Sequence, residues 1–319
     1  NGFAEDGSYQ HATLTTDQHD INGDGTIDEV YEIGNAGQLY WFAALVNGKL
    51  TDGTSQNRNA CAVLVSNITV NKNLLNSLDN NGYPTGTVTI DSWTPFGDYI
   101  SSYSDGLDYL GIFDGNGHSI SGLYCKQPNA KNISFCGYMT KGTIKNVAII
   151  DSYFEGDYNV GGIVGASNES AIKNCLFCGT VKSNKRVGGI CGAIQGYSTI
   201  SDCFSNAQIL VVENANNYCG GICGMGYGQK IKLRNCVYNN SLYSGQVIKW
   251  VEEYENDVTW TGTVEHITGM KTAEIASGKA THWLNRYHSG DGLGWYQNID
   301  NGQTNDAYPV LDNTHGMVY

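Results

Sequence analysis

Gly188-Gly-Ile-Cys-Gly192 is one copy of a motif that recurs along the chain and decides the fold. Gly161-Gly-Ile-Val-Gly165 precedes it, Gly220-Gly-Ile-Cys-Gly224 follows it, and Ile133-Ser-Phe-Cys-Gly137 is a degenerate earlier copy. The closing glycines of the four copies are 28, 27 and 32 residues apart. A regular period of this length indicates a repeat architecture.

A second motif keeps the same period. Its copies, spaced by 28, 28 and 33 residues, are Ile144-Lys-Asn-Val147, Ile172-Lys-Asn-Cys175, Ile200-Ser-Asp-Cys203 and Leu233-Arg-Asn-Cys236. Short apolar runs, many glycines and no helical periodicity predict one coil of a β-solenoid per repeat. We expect the aliphatic residues that open the copies to stack inside the solenoid, about 4.8 Å apart. The third residues, Asn146, Asn174, Asp202 and Asn235, should stack at a corner, because Asx side chains tolerate left-handed backbone geometry.

Composition excludes several classes of function. The 319 residues include 41 glycines, 4 prolines and 15% charged residues, and the net charge is −13. This acidity argues against a nucleic-acid partner, because a phosphate backbone would be repelled. The sequence has no apolar run of about 18 residues, so no membrane span is predicted. The first residues, Asn1-Gly-Phe, have no signal-peptide pattern, and we expect such a signal to be absent or already removed.

The repeat motifs closely resemble the GLUG repeat of bacterial surface proteins. Trp93-Thr-Pro-Phe-Gly97 and Phe113-Asp-Gly-Asn-Gly-His-Ser-Ile-Ser-Gly-Leu123 resemble the coils that usually precede that repeat. The resemblance implies an all-β fold, a right-handed parallel β-helix, in a secreted or cell-wall-attached protein of the adhesin type. It also implies a monomeric unit within a larger surface protein, whose partner would be a glycan or a host surface protein.

The chain divides into three predicted regions. Residues 1–58 form an N-terminal cap with a short helix over Ala36–Asn47, for which Asn35 is the N-cap and Gln38 completes a capping box. Residues 59–245 form the coils, with the repeats at about 133–245 and an insertion at 98–110. Residues 246–319 form a C-terminal capping segment with one helix over 273–287. The expected fold therefore has short helical caps at both ends.

The N-terminal region contains the spacing of a calcium loop. Oxygen-bearing side chains stand at loop positions 1, 3, 5 and 9, in Asp20, Asn22, Asp24 and Asp28, and Thr26 at position 7 can offer its carbonyl. This is most of an EF-hand or dockerin loop, and it predicts a structural calcium ion. Position 12 is Tyr31 rather than glutamate, so Glu29 or Glu32 would have to supply the last ligand. The alternative is an Asx-rich turn before a strand.

The insertion is the predicted ligand-binding segment. It carries tyrosines beside carboxylates, in Tyr99, Tyr103, Asp105, Asp108 and Tyr109. Binding residues concentrate in loops on a rigid scaffold, so these side chains would form a glycan-binding loop. The alternative is an ordinary excursion whose aromatic rings pack on the coils.

Two functions from different classes follow. The first is a non-catalytic surface module that binds a host or dietary glycan or a protein. The second is a β-helix carbohydrate-active enzyme, a glycoside hydrolase or polysaccharide lyase, with Asp151, Glu155 and Asp157 as the first candidates for paired catalytic carboxylates. His118 beside Asp114 is interpreted as turn chemistry. The ten cysteines are interpreted mainly as small buried hydrophobic residues, and the sequence leaves open whether they are free or paired.

Overall fold

The structure is a computed structural model that describes residues 9–98, 106–211, 218–228, 230–250, 262–288, 290, 292–299 and 305–318. It is a parallel β-helix of about eight stacked coils, as the repeats predicted. Across the described ranges it has three short α-helices, namely α1 (Ala36–Asn47), α2 (Thr272–Ala276) and α3 (Lys279–Arg286), and one 3-10 turn at Leu75–Ser77.

The strands are short and follow one another around each coil. The first half contains β1 (Thr13–His19), β2 (Asp28–Ile33), β3 (Cys61–Leu64), β4 (Ile68–Thr69), β5 (Ile112–Asp114), β6 (Ser119–Ser121), β7 (Tyr124–Ile133), β8 (Cys136–Thr140), β9 (Thr143–Lys145), β10 (Ala148–Gly161), β11 (Val164–Asn168) and β12 (Ala171–Lys173). The second half contains β13 (Leu176–Ser183), β14 (Arg186–Gly188), β15 (Cys191–Gln195), β16 (Thr199–Ser201), β17 (Phe204–Val211), β18 (Tyr218–Gly220), β19 (Cys223–Tyr227), β20 (Lys232–Arg234), β21 (Val237–Asn239), β22 (Ile248–Trp250), β23 (Thr263–Glu265) and β24 (Thr268–Met270). Strand pairing thus continues to Met270, beyond the last repeat motif.

Three sheets form the walls of the solenoid. The first sheet has the order β1-β2-β3-β5-β9-β12-β16-β20-β23, in which only the β1–β2 pair is antiparallel. The second sheet has the order β18-β14-β10-β13-β17-β21-β24, and β4, β6 and β7 extend it beside β10. The third sheet has the order β22-β19-β15-β11-β8. Each coil therefore contacts mainly the coil before it and the coil after it, as in other solenoids.

The predicted aliphatic column is confirmed. In the first sheet, Ile172 pairs in register with Ile144 on one side and Ile200 on the other. Leu233 continues the column, and Phe113 precedes it. All five side chains are fully buried, so this column forms the inner surface of the first sheet.

The predicted Asx corner is also confirmed. Asn146, Asn174, Asp202 and Asn235 all have left-handed backbone geometry, with φ between 48° and 55°. The side chain of Asn174 donates to Oδ1 of Asn146 at 2.9 Å, and Asn146 donates to Oδ1 of Asp114 at 3.0 Å. Asn235 donates to Oδ1 of Asp202 at 2.6 Å. These bonds link neighbouring coils through groups that would otherwise be buried without partners.

The paired glycines mark places where no side chain fits. A Cβ at Gly162 would lie 2.1 Å from Cγ of Phe177 and 2.4 Å from the carbonyl oxygen of Gly189. The equivalent glycines Gly161 and Gly188 pair with each other across neighbouring coils. The motif therefore lets the backbone approach a core aromatic ring and the backbone of the next coil.

Helix α1 covers the first coils, with the bounds predicted from the sequence. Oδ1 of Asn35 accepts from the backbone N–H of Gln38 at 3.0 Å, whereas the Gln38 side chain accepts from Gly34 and not from Asn35 itself. Phe42 makes edge-to-face contacts with Phe96 and Phe113, at centroid distances of 5.7 and 5.8 Å. All but its last residue are buried, so α1 is a core element that caps the solenoid.

The C-terminal helix differs from the prediction of one helix over 273–287. The chain is divided into α2 and α3 at Gly278, whose φ of 86° is left-handed and ends the helical hydrogen bonding. Ile275 and Leu284 pack against Leu176 and Phe204 on the outer face of the second sheet. These helices therefore cover the side of several coils. In the described residues, no helix is long and apolar enough to cross a membrane.

Candidate functional site

A groove opens at the base of the predicted insertion. It has a volume of about 480 Å³, within the range typical of small-ligand sites. Its lining combines apolar and polar groups, among them Asn47, Lys49, Asp98, Leu107, Lys131 and Asn132. Three separate parts of the chain meet here, namely the end of α1, the segment around Asp98 and the end of β7.

The polar groups of this groove are held in place by hydrogen bonds. Asn47, the last residue of α1, donates to the carbonyl of Pro95 at 3.0 Å and accepts from the N–H of Gly97 at 2.9 Å. Buried Asn132 donates to Oδ1 of Asp98 at 3.2 Å. Such fixed groups around an open space need little ordering when a ligand binds. Lys49 and Lys131 supply positive charge at the rim.

The predicted insertion is only partly within the described residues. Tyr99, Tyr103 and Asp105 lie outside them. Its base is closed by a hydrogen bond of 2.9 Å from the N–H of Asp98 to the carbonyl of Leu107.

The two candidates of the insertion within the described residues, Asp108 and Tyr109, make structural contacts instead of lining the groove. Asp108 is paired with the guanidinium of Arg58, and its side chain is 13% exposed. Tyr109 is fully buried, its hydroxyl donates to the carbonyl of Ala60 at 3.0 Å, and its ring packs edge-on against Phe96 at 5.0 Å. Burial raises the pKa of Tyr109 well above its ordinary value. The expectation that Tyr109 belongs to a glycan-binding loop is wrong, because its buried ring completes the aromatic core beneath α1.

In the loop predicted to bind calcium, the carboxylates accept hydrogen bonds from other groups of the same loop. Asp20 accepts from the N–H groups of Gly23 and Gly25, at 2.8 and 2.9 Å. The side-chain amide of Asn22 donates to Asp24 at 3.1 Å and to Asp28 at 3.3 Å. These contacts place Asn22 beside Asp24 and Asp28, and they tie Asp20 to the backbone of the turn at Gly23 and Gly25.

The remaining predicted ligands have partners of their own. Thr26 donates its N–H to Oδ1 of Asp24 at 2.8 Å, and its hydrogen bonds lower the pKa of Asp24. Glu32, a candidate for the last ligand, lies 3.0 Å from Nε2 of His19. Within the described ranges, no group of three His, Cys, Asp or Glu side chains is arranged to hold a metal ion. Calcium binding therefore stays a prediction from the spacing.

The three carboxylates proposed for catalysis all have structural partners. Asp151 accepts from the N–H groups of Leu74 and Leu75, at 2.7 and 3.0 Å, and so holds the 3-10 turn. Glu155 is buried and contacts Lys126 and Lys182 from the two neighbouring coils.

The third, Asp157, accepts from the side chain of Asn184 at 3.1 Å. Asp114 and His118 are similarly placed in a turn, where Asp114 accepts from the N–H of Asn116 at 2.8 Å. Burial lowers the pKa of His118, although Asp312 opposes this shift. Asp114, Asp151, Glu155 and Asp157 thus fasten turns and coils.

Seven of the ten cysteines are buried, and Cys61, Cys178 and Cys219 are partly buried. All ten are free. Cys191 pairs in register with Val164 and with Cys223, and all three side chains are fully buried. Burial raises the pKa of Cys223 and of Cys203 well above the ordinary value. A thiol that stays protonated and inaccessible is a packing group rather than a nucleophile.

The structure brings together a surface column that the sequence analysis did not single out. We call it the tyrosine–cation column, and it consists of Lys131, Tyr158, Lys185, Arg186, Tyr218 and Lys249. The guanidinium of Arg186 lies 4.1 Å from the ring centroid of Tyr158 and 5.9 Å from that of Tyr218. Lys131 and Lys185 lie 6.0 and 5.6 Å from the Tyr158 ring, and Lys249 lies 5.1 Å from the Tyr218 ring.

Aligning the repeat copies would have revealed part of this column. Lys131 stands two residues before the first residue of the degenerate copy, and Tyr158 and Lys185 each stand three residues before the first residue of the Gly-Gly motif. Tyr218 and Arg186 each stand two residues before it. The sequence signal is the presence of a tyrosine or a cation at one or both of these two positions in every copy.

Comparison with known proteins gives a limited set of similarities. No family model matches the chain, so the resemblance to GLUG-repeat proteins rests on the motifs alone. Halomucin of Haloquadratum walsbyi is 27% identical over 199 residues, which are 62% of this chain and 2% of halomucin.

The comparison with solved structures finds a weak similarity. The matched structure is that of a Bacteroides ovatus protein provisionally assigned as an immunoglobulin A1 protease, with 17% sequence identity and a TM-score of 0.41. The match covers 89% of this chain and 92% of that one. A score at this level carries no argument about fold or activity.

Proposed function

We propose that this chain is a non-catalytic module of a secreted or cell-surface protein, and that it binds a glycan in the groove at the base of the predicted insertion. The observation that carries the proposal is the groove itself, where Asn47, Asn132 and Asp98 are fixed by hydrogen bonds around an open volume of about 480 Å³. The groove also has an apolar wall that includes Leu107. A site with both fixed polar groups and an apolar wall suits a sugar, because a sugar has polar and apolar faces.

The similarity to halomucin supports placement in a large extracellular protein. The matched segment is a small fraction of halomucin, which agrees with a chain that acts as one module among others. A protein partner remains part of the proposal, because a solenoid wall also offers a surface for protein contacts. The enzyme alternative has less support, since Asp151, Glu155 and Asp157 are each engaged in structural contacts.

A glycan array with the purified chain tests this proposal. We expect binding to at least one glycan class, and loss of that binding in the variant Lys49→Ala/Gln127→Ala, whose residues line the groove. Lys141→Ala is the matched control, because Lys141 is 70% exposed and lies beside Glu169. If the groove variant still binds the glycan, the binding site lies elsewhere on the chain. Cleavage of a bound glycan would instead favour the enzyme.

A further inference from the structure

We propose that the binding site continues from the groove past Lys49 into a second cavity, and that its ligand is a neutral oligosaccharide with at least one sugar on each side of this lysine. This inference rests on the proposed function, to which it adds the chemical class and the minimum length of the ligand. We call the second space the N-terminal cavity.

The N-terminal cavity lies next to the groove. It has a volume of about 530 Å³, close to that of the groove. Lys49 lines both spaces. This lysine is exposed and directly follows Gly48, the C-cap of α1. Because one exposed side chain borders both spaces, a sugar chain that fills the groove can extend over Lys49 into the N-terminal cavity.

The first argument for a sugar is the aromatic wall of the N-terminal cavity. Tyr9 and His11 are exposed in this wall. The ring of Tyr9 stacks on Tyr40 at a centroid distance of 6.2 Å. The ring of His11 lies 5.1 Å from Trp41. Each exposed ring is thus backed by a buried ring of α1. Such rings offer apolar contact area to a sugar at a low cost in side-chain entropy.

The second argument is a fixed carboxylate in the same cavity. Oδ1 of Asp52 accepts from the N–H of Thr54 at 2.8 Å. Its Oδ2 lies 3.1 Å from Nε2 of His11, and the side chain of Asp52 is 37% exposed. Both oxygens are therefore oriented. A carboxylate oxygen can accept more than one hydrogen bond, so Asp52 can also accept from the hydroxyl groups of a sugar.

The third argument is an unsatisfied donor in the wall. The indole N–H of Trp41 is buried, and within the described ranges nothing accepts a hydrogen bond from it. A buried donor without a partner is unfavourable. A sugar hydroxyl that reaches this N–H from the cavity would supply the missing acceptor. The wall then donates through Trp41 and accepts through Asp52, and a hydroxyl group can serve both.

The charge of the cavity favours a neutral sugar. Asp52 stands in the wall, and the net charge of the chain is −13. A carboxylate or sulfate group beside Asp52 would be repelled, whereas a hydroxyl group donates to it. The ammonium of Lys49 has three donors and no acceptor, so it can donate to oxygens of the two sugars that meet above it. A neutral oligosaccharide therefore fits both sides of Lys49.

Titration calorimetry on the intact chain tests the inference with three neutral series. These are the monosaccharides to tetrasaccharides of β-1,4-linked galactose, mannose and xylose. We expect one series to bind, with an affinity that rises by about tenfold or more from the monosaccharide to the longer members, which is about 1.4 kcal/mol. His11→Ala/Asp52→Ala should remove most of this gain, because it deletes an exposed ring and the fixed carboxylate. Trp41→Phe, which keeps a ring and loses the N–H, should remove part of it.

The matched control is Asp312→Ala. Asp312 accepts from the N–H of Thr314 at 2.9 Å, in the same Asp-x-Thr arrangement as Asp52, and it does not line either cavity. Its removal should leave the affinity for each sugar within about twofold. Melting temperatures verify that each variant folds. His11 and Asp52 are exposed, so their double variant keeps the test decisive even if Trp41→Phe is unstable.

Each other result has a distinct meaning. Equal affinity for the short and long members of a series would leave the proposed function standing and overturn this inference. A gain with length that survives the double variant would do the same. Failure of all three series to bind, with another glycan bound on the array, would also overturn this inference alone. Absence of binding to any glycan would overturn both.

Discussion

Lys182 places its Nζ 3.0 Å from Oε1 of Glu155, its in-register partner one coil earlier. Lys126, from the coil on the other side, contacts Oε2 of the same carboxylate. The hydroxyl of Tyr153 donates to Glu155 at 2.7 Å. Burial raises the pKa of Glu155, but the hydrogen bonds from Lys126, Tyr153 and Lys182 outweigh it, and the pKa is lowered overall. Glu155 therefore stays ionised and clamps three consecutive coils.

Replacing this carboxylate should destabilise the chain. Glu155→Gln leaves the buried ammonium of Lys126 without its counter-ion, which typically costs about 3–5 kcal/mol in the free energy of unfolding. Because the folded pKa of Glu155 is lowered, its contribution is complete above the unfolded pKa of about 4.3 and disappears as pH falls through the folded value.

Chemical denaturation at several pH values measures this effect. The difference between wild type and variant should be largest near neutral pH and should shrink in acid. Glu169→Gln is the control, because Glu169 lies 3.8 Å from Lys141 in an exposed pair and should contribute about 0–1 kcal/mol. Equal stability of wild type and Glu155→Gln at pH 7 would show that the clamp is not stabilising.

The aliphatic column predicts a graded response at Ile172. Ile172→Asp should prevent folding, because an unpaired charge between Ile144 and Ile200 cannot be hydrated. Ile172→Val removes one methylene and should cost about 1 kcal/mol. Val264, 44% exposed at the end of the same column, provides the control Val264→Asp, which should fold. Circular dichroism melting of a soluble Ile172→Asp protein at the wild-type temperature would contradict the interior position of this residue.

The buried position of Tyr109 leads to a prediction about stability rather than binding. Tyr109→Ala should cost about 3–5 kcal/mol, because it opens a cavity among Phe42, Phe96 and Phe113. Tyr109→Phe keeps the ring and loses the bond to Ala60, which should cost about 1 kcal/mol. Tyr197→Ala, at a side chain that is 61% exposed, should be nearly neutral. Urea denaturation measures the stability of all three variants. An unchanged unfolding midpoint for Tyr109→Ala would contradict the buried position of the Tyr109 ring.

The calcium prediction can be tested by thermal unfolding. If the loop from Asp20 to Asp28 binds calcium, a chelator should lower the melting temperature, and added calcium should restore it by mass action. Asp24→Ala should remove the response. Lys49→Ala, outside the loop, should keep it. Identical melting curves with chelator and with calcium, together with no calcium by elemental analysis, would leave the loop as an Asx-rich turn.

The sequence predicted the parts of this fold that repeat. Ile144 and Ile172, or Asn146 and Asn174, recur at one period, so their stacking could be read before the structure was known. The break at Gly278 and the inward ring of Tyr109 could not be read in this way. Each depends on one local packing arrangement, the first on the outer face of the second sheet and the second on the rings beneath α1.

The candidate site was harder to predict because its residues are far apart in the sequence. Asn47 and Asn132 meet at the groove only because α1 lies across the first coils. The tyrosine–cation column uses different residue types in different copies, and a search for identical residues in each repeat does not detect it. Motif spacing therefore revealed the columns of like residues and missed the columns of complementary ones.

The equivalence of neighbouring coils bears on how such a chain can change length. Ile172 pairs in register with Ile144 of the coil before it, and Ile200 of the next coil pairs in the same way with Ile172. Duplication or loss of a whole period of about 28 residues in the gene would rejoin matching surfaces, and the interior columns would continue unbroken. Insertion of one residue within a strand would turn every later side chain of that strand to the opposite face. We therefore expect natural variants of this architecture to differ in length by whole coils. Each added or lost coil would lengthen or shorten the solenoid, and any surface that runs along its axis, by one strand spacing.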